Sequence, residues 1–186
     1  TLAASGTVTG TIGPGAPVAT GTTGGGSFVA TAQSGGDVTF NATASVSGAG
    51  VLVVEGDNVN VNNAVSTAGG SATLVAANNV AFSATGSLST SGGSVNLNPG
   101  AALTMLSGSF VNSGNGNLRV SAGSASTLGL LNAGTGRISI QAAGLADSNA
   151  AAQNLIAAAV RLRTTSGGLG ASGDALETQT SVLAAN

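Results

Sequence analysis

The chain of 186 residues contains no cysteine, histidine, tryptophan, tyrosine or lysine, and only 5% of its residues are charged. Without cysteine, no disulfide framework can form. The abundant serines have no histidine or lysine beside which they could act, so the common nucleophile–base pairs of enzymes cannot be assembled. Aromatic residues make up only 2% of the chain, which indicates a thin interior filled by small aliphatic side chains.

The few charged residues are unevenly distributed. The basic residues all follow position 118: Arg119, Arg137, Arg161 and Arg163. The preceding part holds only acids, Asp37, Glu55 and Asp57, and the formal net charge is −2. Nucleic-acid binding requires arginine and lysine to neutralise phosphates, so this balance predicts no nucleic-acid partner. No apolar run reaches the roughly 18 residues that span a bilayer, so we expect no transmembrane segment.

Short alternating apolar runs recur along the chain, and a glycine opens each of them. Apolar residues follow each glycine at the second and fourth positions, and the glycines are spaced by 20 to 24 residues. The glycines are Gly26, Gly50, Gly70, Gly93, Gly116 and Gly136. The apolar pairs are Phe28 with Ala30, Leu52 with Val54, Ala72 with Leu74, Val95 with Leu97, Leu118 with Val120, and Ile138 with Ile140. A period of two indicates strands rather than helices.

A second alternating run follows in each repeat, and then a weaker third. The second run predicts two rows, Val38, Val59, Val80, Leu103, Leu128 and Phe40, Val61, Phe82, Met105, Leu130. The third run predicts one row, Val46, Val65, Leu88, Val111 and Leu131. Turns rich in glycine, asparagine and serine separate the runs, so each repeat of about 22 residues predicts three short strands.

Three short strands per repeat are typical of a parallel β-helix, or β-solenoid, here with about 20 to 24 residues per coil. Each strand would pair with its equivalent in the next coil, about 4.8 Å away, and matching side chains would stack as internal rows. The turns support this fold, because Asp37, Asn58 and Asn79 take equivalent positions before the second strand. We expect their side chains to hydrogen-bond from coil to coil.

The regularity of the repeat divides the chain into three parts: residues 1–25, a Gly/Thr-rich lead-in or edge coil; residues 26–143, regular solenoid coils; and residues 144–186, a less regular continuation. Residues 148–160 are rich in alanine, the best helix former, so a helix is the alternative there. The alternation of residues 157–165 favours a further coil. It predicts Val160 and Leu162 inward and the two intervening arginines outward.

Carboxylates are the remaining candidates for acid–base chemistry. Glu55 and Asp57 stand two residues apart and could form a glycosidase pair or a calcium site. Two solvated charges at a turn explain the same pattern more simply. We therefore predict no catalytic, cofactor-binding or metal-binding residues, no cofactor and no enzyme activity.

Other motifs carry little weight. The aspartate of Gly-Gly-x-Gly-x-Asp calcium repeats does not recur, and the outward positions form no threonine array of the ice-binding kind. The glycosylation sequon at 41–43 is expected by chance in a chain so rich in asparagine, serine and threonine. Arg161 and Arg163 could contact an acidic partner, or Asp174 and Glu177 in the following coil.

Residues 65–105, "VSTAGGSATLVAANNVAFSATGSLSTSGGSVNLNPGAALTM", resemble the repeat region of filamentous-haemagglutinin-like adhesins and of giant bacterial β-strand-repeat surface proteins. Residues 160–186 resemble another recurring segment of those proteins. The resemblance implies a right-handed parallel β-helix that is secreted or lies on the bacterial cell surface. Such proteins open with a secretion domain bearing an NPNG-type motif, and its absence here favours an interior segment or a matured product.

We therefore expect a structural segment of a bacterial extracellular fibre, stalk or filament. Its expected partners are the ends of further coils, met either by end-to-end self-association through exposed strand edges or by covalent continuation in a longer chain. A glycan-binding adhesin module with a glycan or surface ligand is the alternative. A β-helix enzyme acting on polysaccharide through Glu55 and Asp57 is a third hypothesis.

Overall fold

The computed structural model describes residues 8–12, 22–23, 26–32 and 35–186. Over these residues the chain is all-β and winds into a right-handed parallel β-helix of about seven turns, which confirms the predicted fold. None of the described residues is helical, and so none belongs to a helix long and apolar enough to cross a bilayer. Three short strands in each regular coil form three faces around a narrow apolar interior.

The first face runs from one end of the rod to the other. Its strands are β1 Val8–Ile12, β3 Phe28–Ala32, β6 Leu52–Gly56, β9 Ala72–Ala76, β12 Val95–Pro99, β15 Leu118–Ser121, β18 Arg137–Ala142, β20 Leu155–Thr164 and β21 Thr178–Ala185. Each strand pairs in parallel with the equivalent strand of the next coil.

The other two faces have shorter strands. The second face contains β4 Val38–Phe40, β7 Val59–Val61, β10 Val80–Phe82, β13 Leu103–Met105, β16 Ser126–Leu128 and β19 Leu145–Asp147. The third face contains β2 Thr22–Thr23, β5 Ala44–Val46, β8 Ala64–Thr67, β11 Ser87–Thr90, β14 Phe110–Asn112 and β17 Leu130–Asn132. The first and third faces join into one sheet, because the start of β20 pairs with β17 and its end with β18.

Two apolar rows line the inner side of the first face, as the sequence predicts. One runs through Phe28, Leu52, Ala72, Val95, Leu118, Ile138, Val160 and Leu183. The other runs through Ala30, Val54, Leu74, Leu97, Val120, Ile140, Leu162 and Ala185. Between Leu52 and Leu162 these side chains are at most 4% exposed. Burying one large aliphatic side chain contributes about 2 kcal/mol, so the rows are a main source of stability.

The predicted rows of the second face hold as far as Leu103 and Met105. The next step is wrong: Thr104 pairs with Thr127, which places Leu128 opposite Met105 rather than opposite Leu103. Leu130 does not belong to this face at all, because it opens β17. Only Gly129 separates β16 from β17, so two strands on different faces form one continuous alternating run in the sequence.

The predicted row of the third face holds for Val65, Leu88, Val111 and Leu131, which pair in that order. Val46 is the exception, because it pairs with Thr67, whereas Ala44 lies opposite Val65. Val46 is still buried. A shift by two residues keeps a side chain on the same side of the strand, so alternation alone does not distinguish the two registers.

The glycines that open the first-face strands stack in a column along one corner of the rod. A Cβ atom on any of five of them would overlap the carbonyl oxygen of the glycine one coil before: Gly50, Gly70, Gly93, Gly116 and Gly136. Buried hydroxyls close the same corner, because Thr67 donates to the carbonyl of Gly70 and Thr90 to that of Gly93. Glycine is therefore required here for close approach of successive backbones.

The alanine-rich stretch 148–160 is not helical in the structure. Ala158 takes the next position in the glycine column. It stands two residues before Val160, just as each glycine stands two residues before the first inward residue of its own strand. There the corner gives way to the continuous ten-residue strand β20. Val160 and Leu162 point inward and their neighbouring arginines outward, as predicted. A further coil therefore continues the solenoid at this point.

Candidate functional site

Asp37, Asn58 and Asn79 form the predicted ladder across successive coils. Asp37 Oδ1 accepts hydrogen bonds from Asn58 N at 3.0 Å and from Asn58 Nδ2 at 2.9 Å. Asn58 Oδ1 accepts from Asn79 N at 3.2 Å and from Asn79 Nδ2 at 3.3 Å. Asn79 Oδ1 then accepts from Ala102 N at 3.1 Å. The ladder uses its side-chain oxygens to fasten the turns together, so it is a structural clamp.

Glu55 and Asp57 lie at the end of β6 and in the turn that follows it. Glu55 is exposed and Asp57 half-buried. The backbone of Asp57 is tied to the neighbouring coils, donating to the carbonyl of Gly36 at 2.7 Å and accepting from Asn78 N at 2.8 Å. In the described part of the chain, no third histidine, cysteine or acid joins this pair in a group that could hold a metal ion.

A polar cluster that no sequence pattern predicts joins the last two coils, around Asn154. Asn154 is fully buried, and its Nδ2 donates to Asp147 Oδ1 at 2.6 Å and to Asn149 Oδ1 at 2.9 Å. Its Oδ1 accepts from Glu177 N at 2.9 Å. Asp147 pairs with Leu128 in register, so a carboxylate occupies a position in which the preceding coils carry apolar side chains.

The carboxyls of Asp147 and Asp174 meet in this cluster and differ in pKa. Desolvation raises the pKa of Asp147, but hydrogen bonds from the backbone of Asn149, the side chain of Asn154 and the backbone of Ser148 outweigh it, so the pKa is lowered. Desolvation, the charge of Asp147 and a hydrogen bond to Asp147 all raise the pKa of Asp174. Asp147 Oδ2 is buried with no hydrogen-bond partner, and the Asp174 carboxyl lies beside the Asp147 carboxyl. The pair therefore favours the ionised form of Asp147 and makes Asp174 hold its proton more tightly than a free aspartate does.

The arginines gather on the outer side of the first face. They are Arg119 of β15, Arg137 of β18, and Arg161 and Arg163 of β20, and all are exposed. Arg119, Ser139 and Arg161 lie in one row across three successive coils. Arg163 Nη1 donates to Gln141 Oε1 at 3.5 Å. We call these four residues the arginine patch.

The arginine patch has no acidic partner within the described residues. The suggested contact of Arg161 and Arg163 with Asp174 and Glu177 is therefore not formed. The reason is positional, because Glu177 hydrogen-bonds to Asn154 at the start of β20, whereas the arginines stand near its end. Apart from the contact of Arg163 with Gln141, no hydrogen bond joins these guanidinium groups to other described residues.

The last strand, β21, leaves one edge of the first face open. It pairs with β20 on one side, and no described strand pairs with its other side. Leu183 continues the inner apolar row after Val160 but is 51% exposed, and the neighbouring Val182 is 60% exposed. An unpaired edge with exposed core-row side chains is a surface on which another strand can pair.

Comparison with known proteins found no matching family model, no matching curated protein and no matching solved structure. The structure itself offers three candidate surfaces: the polar cluster around Asn154, the arginine patch and the open edge of β21. The arginines could be placed on one side of a strand from their alternation with apolar residues. The cluster could not, because its members come from the end of β19 and from the irregular segments before β20 and β21.

Proposed function

We propose that the chain is a structural segment of a bacterial extracellular fibre, stalk or filament, in which stacked β-solenoid coils provide length and stiffness. The rows that run unbroken from coil to coil support this role, because each coil is stabilised by its neighbours and coils can be added indefinitely. A structural rather than catalytic role also agrees with the lack of histidine, cysteine and lysine. The extracellular, bacterial setting rests on the resemblance of residues 65–105 to surface-protein repeats.

The observation that carries the proposal is the open edge of β21. Proteins normally protect a solvent-exposed strand edge with charge, proline, a bulge or a covering segment. Within the part of the chain that the structure describes, β21 has none of these, and its exposed residues include Leu183 of the core row. This open edge supports the proposal that another coil pairs with β21, supplied by a longer chain or by a second copy.

A second copy would add its coils in the manner already used inside the molecule. At the opposite end of the first face, β1 is paired with β3 alone among the described strands. Parallel pairing of β21 with β1 of the next molecule is a head-to-tail contact, which extends into a filament rather than closing into a dimer.

The test is sedimentation velocity and negative-stain electron microscopy over a range of protein concentrations. We expect the unmodified chain to form rods that lengthen with concentration. Leu183→Lys places a charge in the core row of the open edge and should leave discrete monomers. Ala184→Lys, which adds the same charge on the outward side of the same strand, is the matched control and should still assemble.

Both lysine variants must retain the circular dichroism of the parent, since both positions are exposed. A chain that stays monomeric at every concentration would refute end-to-end assembly of separate copies. Assembly that Leu183→Lys does not weaken would show that the contact lies elsewhere than at β21.

A further inference from the structure

The arginine patch is a concentrated cationic surface on an otherwise weakly charged protein. The chain has a net charge of −2, yet all four of its cations stand on the outer side of three neighbouring strands, β15, β18 and β20. Adjacent coils are about 4.8 Å apart, so Arg119 and Arg161 lie about 10 Å apart along the rod. Arg163 follows Arg161 two residues along the same strand, roughly 7 Å away.

No acid among the described residues forms an ion pair with the patch, and Glu55 and Glu177 lie too far from it to neutralise its charge. Glu55 shares the outer side of the first face, but β15, which carries its nearest arginine, Arg119, is three coil steps away, about 14 Å. Charges separated by more than about 8 Å are largely screened at physiological salt. Glu177 belongs to the polar cluster at the start of β20. The patch therefore keeps its positive potential.

Small hydrogen-bonding side chains stand between the arginines. Ser139 lies between Arg119 and Arg161 in their row, and Gln141 lies beside Arg163. No aromatic side chain occurs in β15, β18 or β20. The surface thus alternates guanidinium groups with hydroxyl and amide groups along the rod, in coil steps of about 4.8 Å.

We propose that the arginine patch binds an acidic polysaccharide whose chain lies along the rod axis. Arginine binds carboxylates through paired, charge-assisted N–H···O hydrogen bonds, and uronate units present carboxylates with hydroxyls between them. Ser139 and Gln141 meet those hydroxyls. Single-stranded nucleic acid fits the patch less well, because its bases bind on aromatic side chains that the patch lacks. The binding does not require end-to-end stacking, since each molecule carries the whole patch.

The probe is sodium alginate oligomers, immobilised for biolayer interferometry at low and physiological salt, with neutral dextran as the reference. We expect saturable binding to alginate, none to dextran, and affinity that falls as salt rises. Arg119→Gln combined with Arg161→Gln should lower the affinity at least tenfold. Glu55→Gln, on the same face outside the patch, should change it less than twofold.

Further variants separate this proposal from others. Arg161→Lys keeps the charge but loses the paired geometry, so we expect an affinity between those of the parent and Arg161→Gln. Leu183→Lys should bind alginate as the parent does, so failure of end-to-end assembly would leave this inference standing. The proposal is overturned if the parent does not bind alginate, or if the double glutamine variant binds it with the affinity of the parent. Preferential binding of the parent to single-stranded DNA or to phosphatidylglycerol vesicles would also overturn it.

Discussion

At the scale of single residues, the glycine column shows how little space one corner of the solenoid allows. A Cβ on Gly93 would overlap the carbonyl oxygen of Gly70 and lie 2.8 Å from that of Gly69. These atoms belong to backbone held in the sheet, so they cannot move aside as a flexible side chain would. We expect Gly93→Ala to lower the free energy of unfolding by about 3 kcal/mol, measured by urea denaturation.

Gly168 provides the matched control for this substitution. The nearest atom to a Cβ there is the carbonyl oxygen of Gly170, at 3.7 Å, which is an ordinary contact. Gly168→Ala should therefore change the free energy of unfolding by less than about 0.5 kcal/mol. Equal effects of the two substitutions would mean that glycine acts through chain flexibility rather than through the close approach of successive coils.

At the scale of elements, residues 165–177 replace the second-face strand of the last coil and depend on two carboxyls. Asp147, with its lowered pKa, stabilises the fold when ionised, and this contribution is lost as the pH falls through that pKa. Asp174, with its raised pKa, favours the fold when protonated, and this contribution is lost as the pH rises through that pKa. The segment should be most stable at a pH between these two pKa values, around the ordinary aspartate value of 3.8.

The expected result is that amide protection within residues 165–177, corrected for intrinsic exchange rates, falls as the pH is raised from about 4 to 8. Asp174→Asn removes the charge and keeps a donor for Asp147, so protection should then vary less with pH. Asp57→Asn, in a distant turn, serves as the control and should follow the parent profile. An Asp174→Asn variant that loses protection as steeply as the parent would contradict this account.

Individual elements also show which features could be predicted from the sequence. Alternation identifies the inward residues of a strand, as it does for Val160 and Leu162, because the side-chain period of a strand is two. It does not give register, and so the predicted pairing of Val46 with Val65 is wrong. Neither does it locate a corner made by one residue, such as Gly129.

The polar cluster around Asn154 could not be predicted from the sequence, for a related reason. Asp147 occupies an inward position that the repeat reserves for apolar residues. The inward carboxylate of Asp147 is stabilised there by the buried side-chain amide of Asn154, which donates a hydrogen bond to it. That compensation depends on the path of an irregular loop, and no repeat in the sequence describes it. The arginine patch, in contrast, follows from strand alternation and regular stacking alone.

At the scale of the whole molecule, the solenoid is a one-dimensional stack in which each coil is stabilised by the coils on either side. β9 and β12 have paired strands on both sides and buried apolar rows, whereas β21 is paired on one side and is largely exposed. Local unfolding should therefore begin at β21 and become less frequent toward the middle of the rod.

Hydrogen exchange measured by mass spectrometry on dilute protein tests this gradient. We expect peptides covering β9 and β12 to exchange slowest and those covering β21 fastest, because opening β21 breaks one coil contact and opening β9 breaks two. Raising the protein concentration should slow exchange in β21 selectively if a second copy covers its edge. Leu183→Lys should abolish that concentration dependence while leaving β9 unchanged. Protection of β21 equal to that of β9 in the dilute parent would show that the molecule unfolds as one unit instead of coil by coil.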